Sequence, residues 1–323
     1  METTLVKEAT DEEQTAIENL FEHSYGYRIS PELWQWKYAN KRGRNLVFIR
    51  DNQVVAHYGG MQRVISYFGK SEKAIQIGDV MVAKNERGVL KKKGLYFQIT
   101  AEFLERFIGY DTEHLLGFGF PTPTALKLAC KLDLYDIVDE IIELQYLAVQ
   151  SRPSIKYGLL ELNANNVDSY AGKLNLLWEQ IQLEYQNDII VKRNWEYLKY
   201  RYYEHPVNHY RVFIMFSRLT QKTLGLLVFK YQKEQSRWLL LDFIAPQRYL
   251  SALFFQAGRI VKRLGKSEFT VWLTKSHVNR IPSNWIKKSK ANISIPSNNW
   301  HSGPTTSVIN GKWWLTAGDT DFL

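Results

Sequence analysis

Apolar residues in this chain recur in short blocks whose period alternates between the helical 3.6 and the strand 2. Between Lys93 and Ile108, Tyr96, Thr100, Phe103 and Phe107 form one row, and Phe97, Ala101, Leu104 and Ile108 form the row beside it. An amphipathic helix is predicted there. Upstream, Asp11 to Ser24 carries Ile17, Leu20 and Phe21 on one stripe, with Thr10 or Asp11 able to cap it. Pro31 to Tyr38 reads as a short helix with Ser30 as N-cap. Asn45 to Arg50 and Val54 to Tyr67 read as a hairpin turning at Asp51 and Asn52. Ala74 to Ala83 and His114 to Phe120 are predicted strands, Pro123 to Leu132 a helix, and Ile137 to Gln150 one or two closing strands.

A stretch rich in Ser, Pro and Asn near residues 150–166 marks a boundary, and the same order of elements comes after it. Helices are predicted at Val167 to Tyr185 and Trp195 to Tyr203. Strands are predicted at Tyr210 to Phe216, Thr223 to Tyr231 and Trp238 to Ile244, then a helix at Tyr249 to Leu264 and a strand at Glu268 to Leu273. A faint echo accompanies the shared order: LWQWKY at Leu33 to Tyr38 against WEYLKY at Trp195 to Tyr200. The expectation is an α/β chain with mixed sheets, built as two tandem domains, 1–150 and 151–323.

Composition narrows the class. Hydrophobic residues make up 45% and charged residues 23% of 323, which is a globular balance. No apolar run is long enough for a membrane helix, and the acidic, polar N-terminus is no secretory signal. Cys130 is the only cysteine, which excludes an internal disulfide and a Cys-based zinc site; a cytoplasmic setting is expected. The formal net charge of +9 is spread without a long basic tract. That favours one anionic ligand pocket over nucleic-acid binding.

The segment Gly78 to Tyr96, GDVMVAKNERGVLKKKGLY, concentrates the chemistry. A short apolar strand runs into a turn with an Arg-Gly step, a lysine run, and a glycine that opens the helix. A helix N-terminus presents unpaired N–H groups and the positive end of its dipole, which suits pyrophosphate.

In this segment and the one downstream of it, the chain resembles the GNAT acyltransferase superfamily. Val82 stands at the usual spacing before Arg87, Gly88 is next, and Gly94 opens the helix after a longer loop than usual. Downstream, GFGFP at Gly117 to Pro121 and LDLY at Leu132 to Tyr135 resemble the second family signature. They look like bacterial members associated with polysaccharide and amino-sugar pathways. The resemblance implies an acetyl-CoA site. Met81, Val82 and Ala83 would face the pantetheine arm. Arg87, Gly88, Gly94 and Leu95 would hold the pyrophosphate, with Lys92 and Lys93 meeting phosphates. The second half has no such loop, because Gln247 to Leu250 enters its helix without a glycine. It resembles a degenerate copy.

The implied reaction is direct attack of a small-molecule amine on the thioester of acetyl-CoA, which needs a base and a proton for the leaving thiolate. The family's asparagine and tyrosine positions are Thr122 and Ala129 here, so the usual acid is missing and Tyr135 is the nearest tyrosine. Candidate bases are Asp79, His114, Glu113 and His57. Trp34, Trp36 and Tyr27 are candidates for the acceptor wall. The C-terminal WWLTAGDTD, Trp313 to Asp321, is expected to dock, with Asp319, Asp321 or Leu323 as further candidates near the amine. Two other readings stay open: a non-catalytic acyl-CoA-binding module, and a Fem-like aminoacyl transferase that takes its acyl group from tRNA.

Overall fold

The computed structural model describes residues 4–88 and 94–323. In chain order its elements are β1 (Thr4–Glu8), α1 (Gln14–Tyr25), α2 (Pro31–Tyr38), β2 (Gly43–Arg50), β3 (Gln53–Tyr67), β4 (Lys70–Val82), α3 (Leu95–Phe107), β5 (Leu116–Gly119), α4 (Pro123–Lys131) and β6 (Tyr135–Leu147). Next come β7 (Tyr157–Leu162), α5 (Ala171–Glu184), β8 (Ile189–Val191), α6 (Trp195–Leu198), β9 (Arg211–Ser217), β10 (Thr223–Gln232), β11 (Arg237–Ile244), α7 (Leu250–Arg263), β12 (Glu268–Thr274), β13 (Lys287–Asn298), α8 (Thr306–Ile309) and β14 (Trp313–Trp314).

Local chemistry sets the ends of these elements. Ser30 Oγ accepts from the Leu33 amide at 3.2 Å and starts α2. Thr10 and Glu13 form a capping box ahead of α1. Asp51 and Asn52 take φ of +46° and +63°, the pair a tight β2–β3 hairpin needs.

The fold is mixed α/β. The contacts divide into two units: Met1–Val64, Glu72–Val138 and Ile293–Asn310 in the first; Ile65–Ser71, Asp139–Asn292 and Gly311–Leu323 in the second. In the first, strands run β1-β2-β3-β4-β5, with β1–β2 and β2–β3 antiparallel and β4–β5 parallel. In the second, the order β7-β9-β10-β11-β12 repeats this pattern, again ending in a parallel pair, β11–β12, joined through a helix. Each sheet thus has a strand–helix–strand crossover at the same place.

The division does not coincide with the expected boundary at residue 150. From Ile141 to Leu147, β6 pairs antiparallel with β12 and lies in the second unit's sheet. The reason is burial: every residue of β12 after Glu268 is buried, so it needs partners on both edges. Tyr146 stacks on Phe269 at 5.4 Å, and Glu143 bonds both Arg237 and the Trp272 indole.

Around the first unit's sheet, α3 covers one face with Phe97, Ile99, Phe103, Leu104 and Phe107 against Leu46, Tyr58 and Ile75. The cluster of Ile17, Leu20, Phe21, Trp34 and Tyr38 packs on Val47 and Met81. Alternation along β3 therefore places His57 beside Trp34 and Tyr38, and Tyr58 against Phe103. Trp34 and Trp36 are core residues, each 5% exposed, whereas Tyr27 is exposed.

Candidate cofactor and acyl-transfer site

The parallel pairing of β4 with β5 runs from Ala74–Leu116 to Ile77–Gly119. Past that point, among the described residues, Gly78 to Val82 has no partner on β5. Within that stretch Asp79 sits at φ +54°, a conformation a non-glycine residue holds only when its surroundings fix it. Three contacts do so. Lys37 Nζ lies 3.0 Å from both carboxylate oxygens, the Tyr38 hydroxyl donates to Oδ2 at 2.6 Å, and His57 Nδ1 meets the Asp79 carbonyl at 2.6 Å.

The electrostatics of this cluster are settled by pairing. Burial pushes the Asp79 carboxyl up, but the Lys37 ammonium and the Tyr38 hydroxyl more than offset it and hold the group below its usual range. Burial pushes His57 down, so its imidazole is neutral. Its Nδ1–H therefore donates to the Asp79 carbonyl, and its Nε2 is buried without a partner.

Beyond Asp79, the Val80 carbonyl accepts from the Tyr25 hydroxyl at 3.1 Å, and Val82 from Arg87 Nε at 2.8 Å. Met81 is buried, Val82 lies in the α3 core cluster, and Ala83 packs against both clusters while its amide donates to Val55 at 2.8 Å. Lys84–Glu86 forms a 3-10 turn, and Arg50 clamps Glu86 at 2.5 Å. Gly88 has φ +111° with open space around it, so a side chain would be strained by backbone alone. Gly94 is the N-cap of α3 at an ordinary φ of −74°, and Leu95, the first helical residue, is buried. Lys92 and Lys93 lie outside the described residues.

The predicted catalytic residues are not brought together. His114 is buried at the opposite end of β5, its Nδ1 on the Phe107 carbonyl at 3.0 Å. Its neighbour Leu115 bonds Lys73, which at about 3.3 Å per residue puts His114 roughly 20 Å along β4 from Asp79. Glu113 is held there by Arg44 at 2.6 Å. Tyr135 lies with Phe103 and Tyr58 in the α3 core, sharing a hydroxyl–hydroxyl contact with Tyr58; burial pushes both phenols up. Ala129 is buried in the same core, and Thr122 caps α4 by accepting from Ala125 at 3.3 Å. Lys37 and Tyr38 are absent from the sequence-based candidates. An acid in an apolar strand requires a partner, and the lone lysine of the aromatic WQWKY helix is the matching anomaly.

The second unit carries the same acid at the same place. Asp79 precedes the 3-10 N-cap Ala83 as Asp242 precedes Pro246. Arg193 bonds Asp242 at 3.1 Å and Asp319 at 2.7 Å, and the Tyr202 hydroxyl donates to Asp242 at 3.0 Å. Here the split is filled. The β11–β12 pairing ends at Leu240–Val271, and the tail runs along β12 instead: Thr274 bonds Leu315, and Leu273 bridges Thr316. Arg201 then holds the carbonyls of Gly318, Thr320 and Leu323. A cavity of about 10 Å³ lies beside Arg193 and Asp242, room for about one water.

Among the described residues, no group of three or more His, Cys, Asp or Glu side chains could hold a metal, and no helix is long and apolar enough to cross a membrane. Residues 5–125 match the family model described as an acetyltransferase (GNAT) domain. Solved structures share the fold over most of the chain. One is a probable N-acyltransferase, a conserved protein of unknown function from Enterococcus faecalis V583: TM-score 0.68, 12% identity, covering 93% of this chain and 73% of that one. Another is a GCN5-related N-acetyltransferase from Kribbella flavida: 0.63, 10%, 92% and 71%. A third is a GCN5-related N-acetyltransferase from Anabaena variabilis ATCC 29413: 0.64, 12%, 93% and 73%. At such identities the likeness is one of fold. A search of curated proteins finds no match. The family match is thus to the N-terminal segment, and residues 5–125 carry the likeness to a GNAT acetyltransferase domain.

Proposed function

We propose that the first unit binds acetyl-CoA and transfers its acetyl group to the amine of a small molecule. The observation that carries this reading is the parting of β4 from β5 after Ile77–Gly119, directly before the Arg87–Gly88 turn and the N-terminus of α3. Backbone groups past Asp79 would meet the pantetheine amides, and the turn with the helix N-terminus would take the pyrophosphate. Within the cluster, Asp79 is engaged by Lys37 and Tyr38, whereas the His57 Nε2 lone pair has no partner. His57 is therefore the group we assign to accept the amine proton. Acetyl-CoA should raise the melting temperature, and a productive amine should release free thiol. No melting shift at millimolar acetyl-CoA would end this reading.

A second reading, acyl-CoA binding without turnover, is favoured by one fact: Tyr135 is tied to Tyr58 inside the core, and Ala129 offers no hydroxyl. Stabilisation by acetyl-CoA with no thiol release across a broad panel of amines would select it.

A further inference from the structure

We infer that the second unit carries an anion-binding site for a phosphorylated small molecule, beyond the acyl-transfer reading. A cavity of about 300 Å³ is lined by Val149, Gln150, Ser151, Arg259, Lys262 and Arg263. One wall is the last turns of α7. The other is the chain leaving β6, which Gly258 lets lie directly on the helix: the Val149 amide bonds the Gly258 carbonyl, and a Cβ there would press on Leu147 O and Val149 at 3.2 Å.

The charges in this cavity are unbalanced. Arg259 and Arg263 are like charges on one helix face, an arrangement that opposes the helix. Arg218 adds to the same field: with burial and Arg263, it pushes the Arg259 guanidinium down. Among the described residues, no carboxylate pairs with Arg218, Arg259, Lys262 or Arg263. Arg259 meets only Gln256, at 2.7 Å, and Arg218 only the carbonyls of Ser154 and Tyr157. The negative end of the α7 dipole favours cations at Lys262 and Arg263, but it neither explains a cavity between them nor reaches back a full turn. A dianion would. Forked guanidinium donors match phosphoryl oxygens, with the Lys262 ammonium, the Ser151 hydroxyl and the Gln150 amide as further donors. The volume is at the lower end for small-molecule sites. Two walls favour a compact ligand over a polynucleotide, which needs an extended basic track.

The test is a thermal titration of the whole chain with inorganic pyrophosphate at constant ionic strength. The intact protein should show a saturable rise of about 2 °C at tenfold excess over Kd. The R259Q/R263Q variant should lose that rise, keep its response to acetyl-CoA, and melt no lower than the parent without ligand. The single variant K262Q should bind pyrophosphate several-fold more weakly. The inference is overturned if the intact protein does not respond, or if the response persists in R259Q/R263Q and so belongs to the cofactor site. It is also overturned if R259Q/R263Q is destabilised without ligand, or if a short single-stranded oligonucleotide outcompetes pyrophosphate.

Discussion

Two acids, Asp79 and Asp242, occupy matching places on the central strands of two matching sheets, and each is paired with a buried cation and a tyrosine hydroxyl. Their surroundings differ on the C-terminal side of the split. After Asp79 come the Arg87–Gly88 turn and a glycine-capped helix. After Asp242 the chain enters α7 through Gln247–Tyr249, and Leu315 and Thr316 lie along β12 where its pairing with β11 has ended. The buried acid therefore belongs to the scaffold of the split sheet, and ligand capacity depends on what occupies the gap.

The most disruptive way to probe this contrast is to remove the cations. Arg193→Met would leave Asp242 and Asp319 buried without their counter-charge and should cost about 3–5 kcal/mol in denaturant unfolding. Lys37→Met should cost a comparable amount through Asp79. A loss near zero in either would show that the acid is protonated or hydrated and that the parallel is superficial. Next in size, Tyr135→Phe should cost about 1–3 kcal/mol by stranding the buried Tyr58 hydroxyl, with kcat unchanged. A fall in kcat of about a hundredfold, some 2.7 kcal/mol of barrier, would instead make Tyr135 the acid. Arg87→Glu should weaken acetyl-CoA at least tenfold, about 1.4 kcal/mol, with little change in stability. Gln247→Glu, in the counterpart region of the second unit, should leave affinity unchanged.

The smallest effect is a contrast in pH. Asp79 is held below the ordinary Asp value of 3.8, so its pair stabilises above that value and the contribution fades as pH falls through the depressed pKa. Asp319 moves the other way: burial pushes it up, the Asp242 carboxylate adds to that, and Arg193 opposes. Its contribution is full below 3.8 and is lost as pH rises through the raised pKa. Asp79→Asn should therefore flatten the acid limb of stability against pH, and Asp319→Asn the limb above it. Identical profiles for the two variants would contradict the opposite signs.

Much of this is legible in the sequence because it is locally encoded. Ser30-Pro31, Asp51-Asn52 and the double apolar row of α3 fix their elements by capping, turn geometry and period. The features that escape the sequence depend on distant partners. The edge strand β7 lies in the polar stretch that reads as a boundary, and β13, KKSKANISIPSN, has lysines where a strand pattern would show apolar residues. β6 looks like a closing strand of the first half, but the demand that places it comes from β12, over a hundred residues later. The cofactor turn is readable as a motif. The grip of Lys37 and Tyr38 on Asp79 is not, since only the folded sheet brings α2 onto that strand.

The central claim is one cofactor site per chain, in the first unit. Equilibrium titration of the intact chain with acetyl-CoA, read by heat release, tests it directly. The predicted result is a stoichiometry of about one, with an affinity that Arg87→Glu lowers at least tenfold. A stoichiometry of two, or binding that survives Arg87→Glu undiminished, would contradict it.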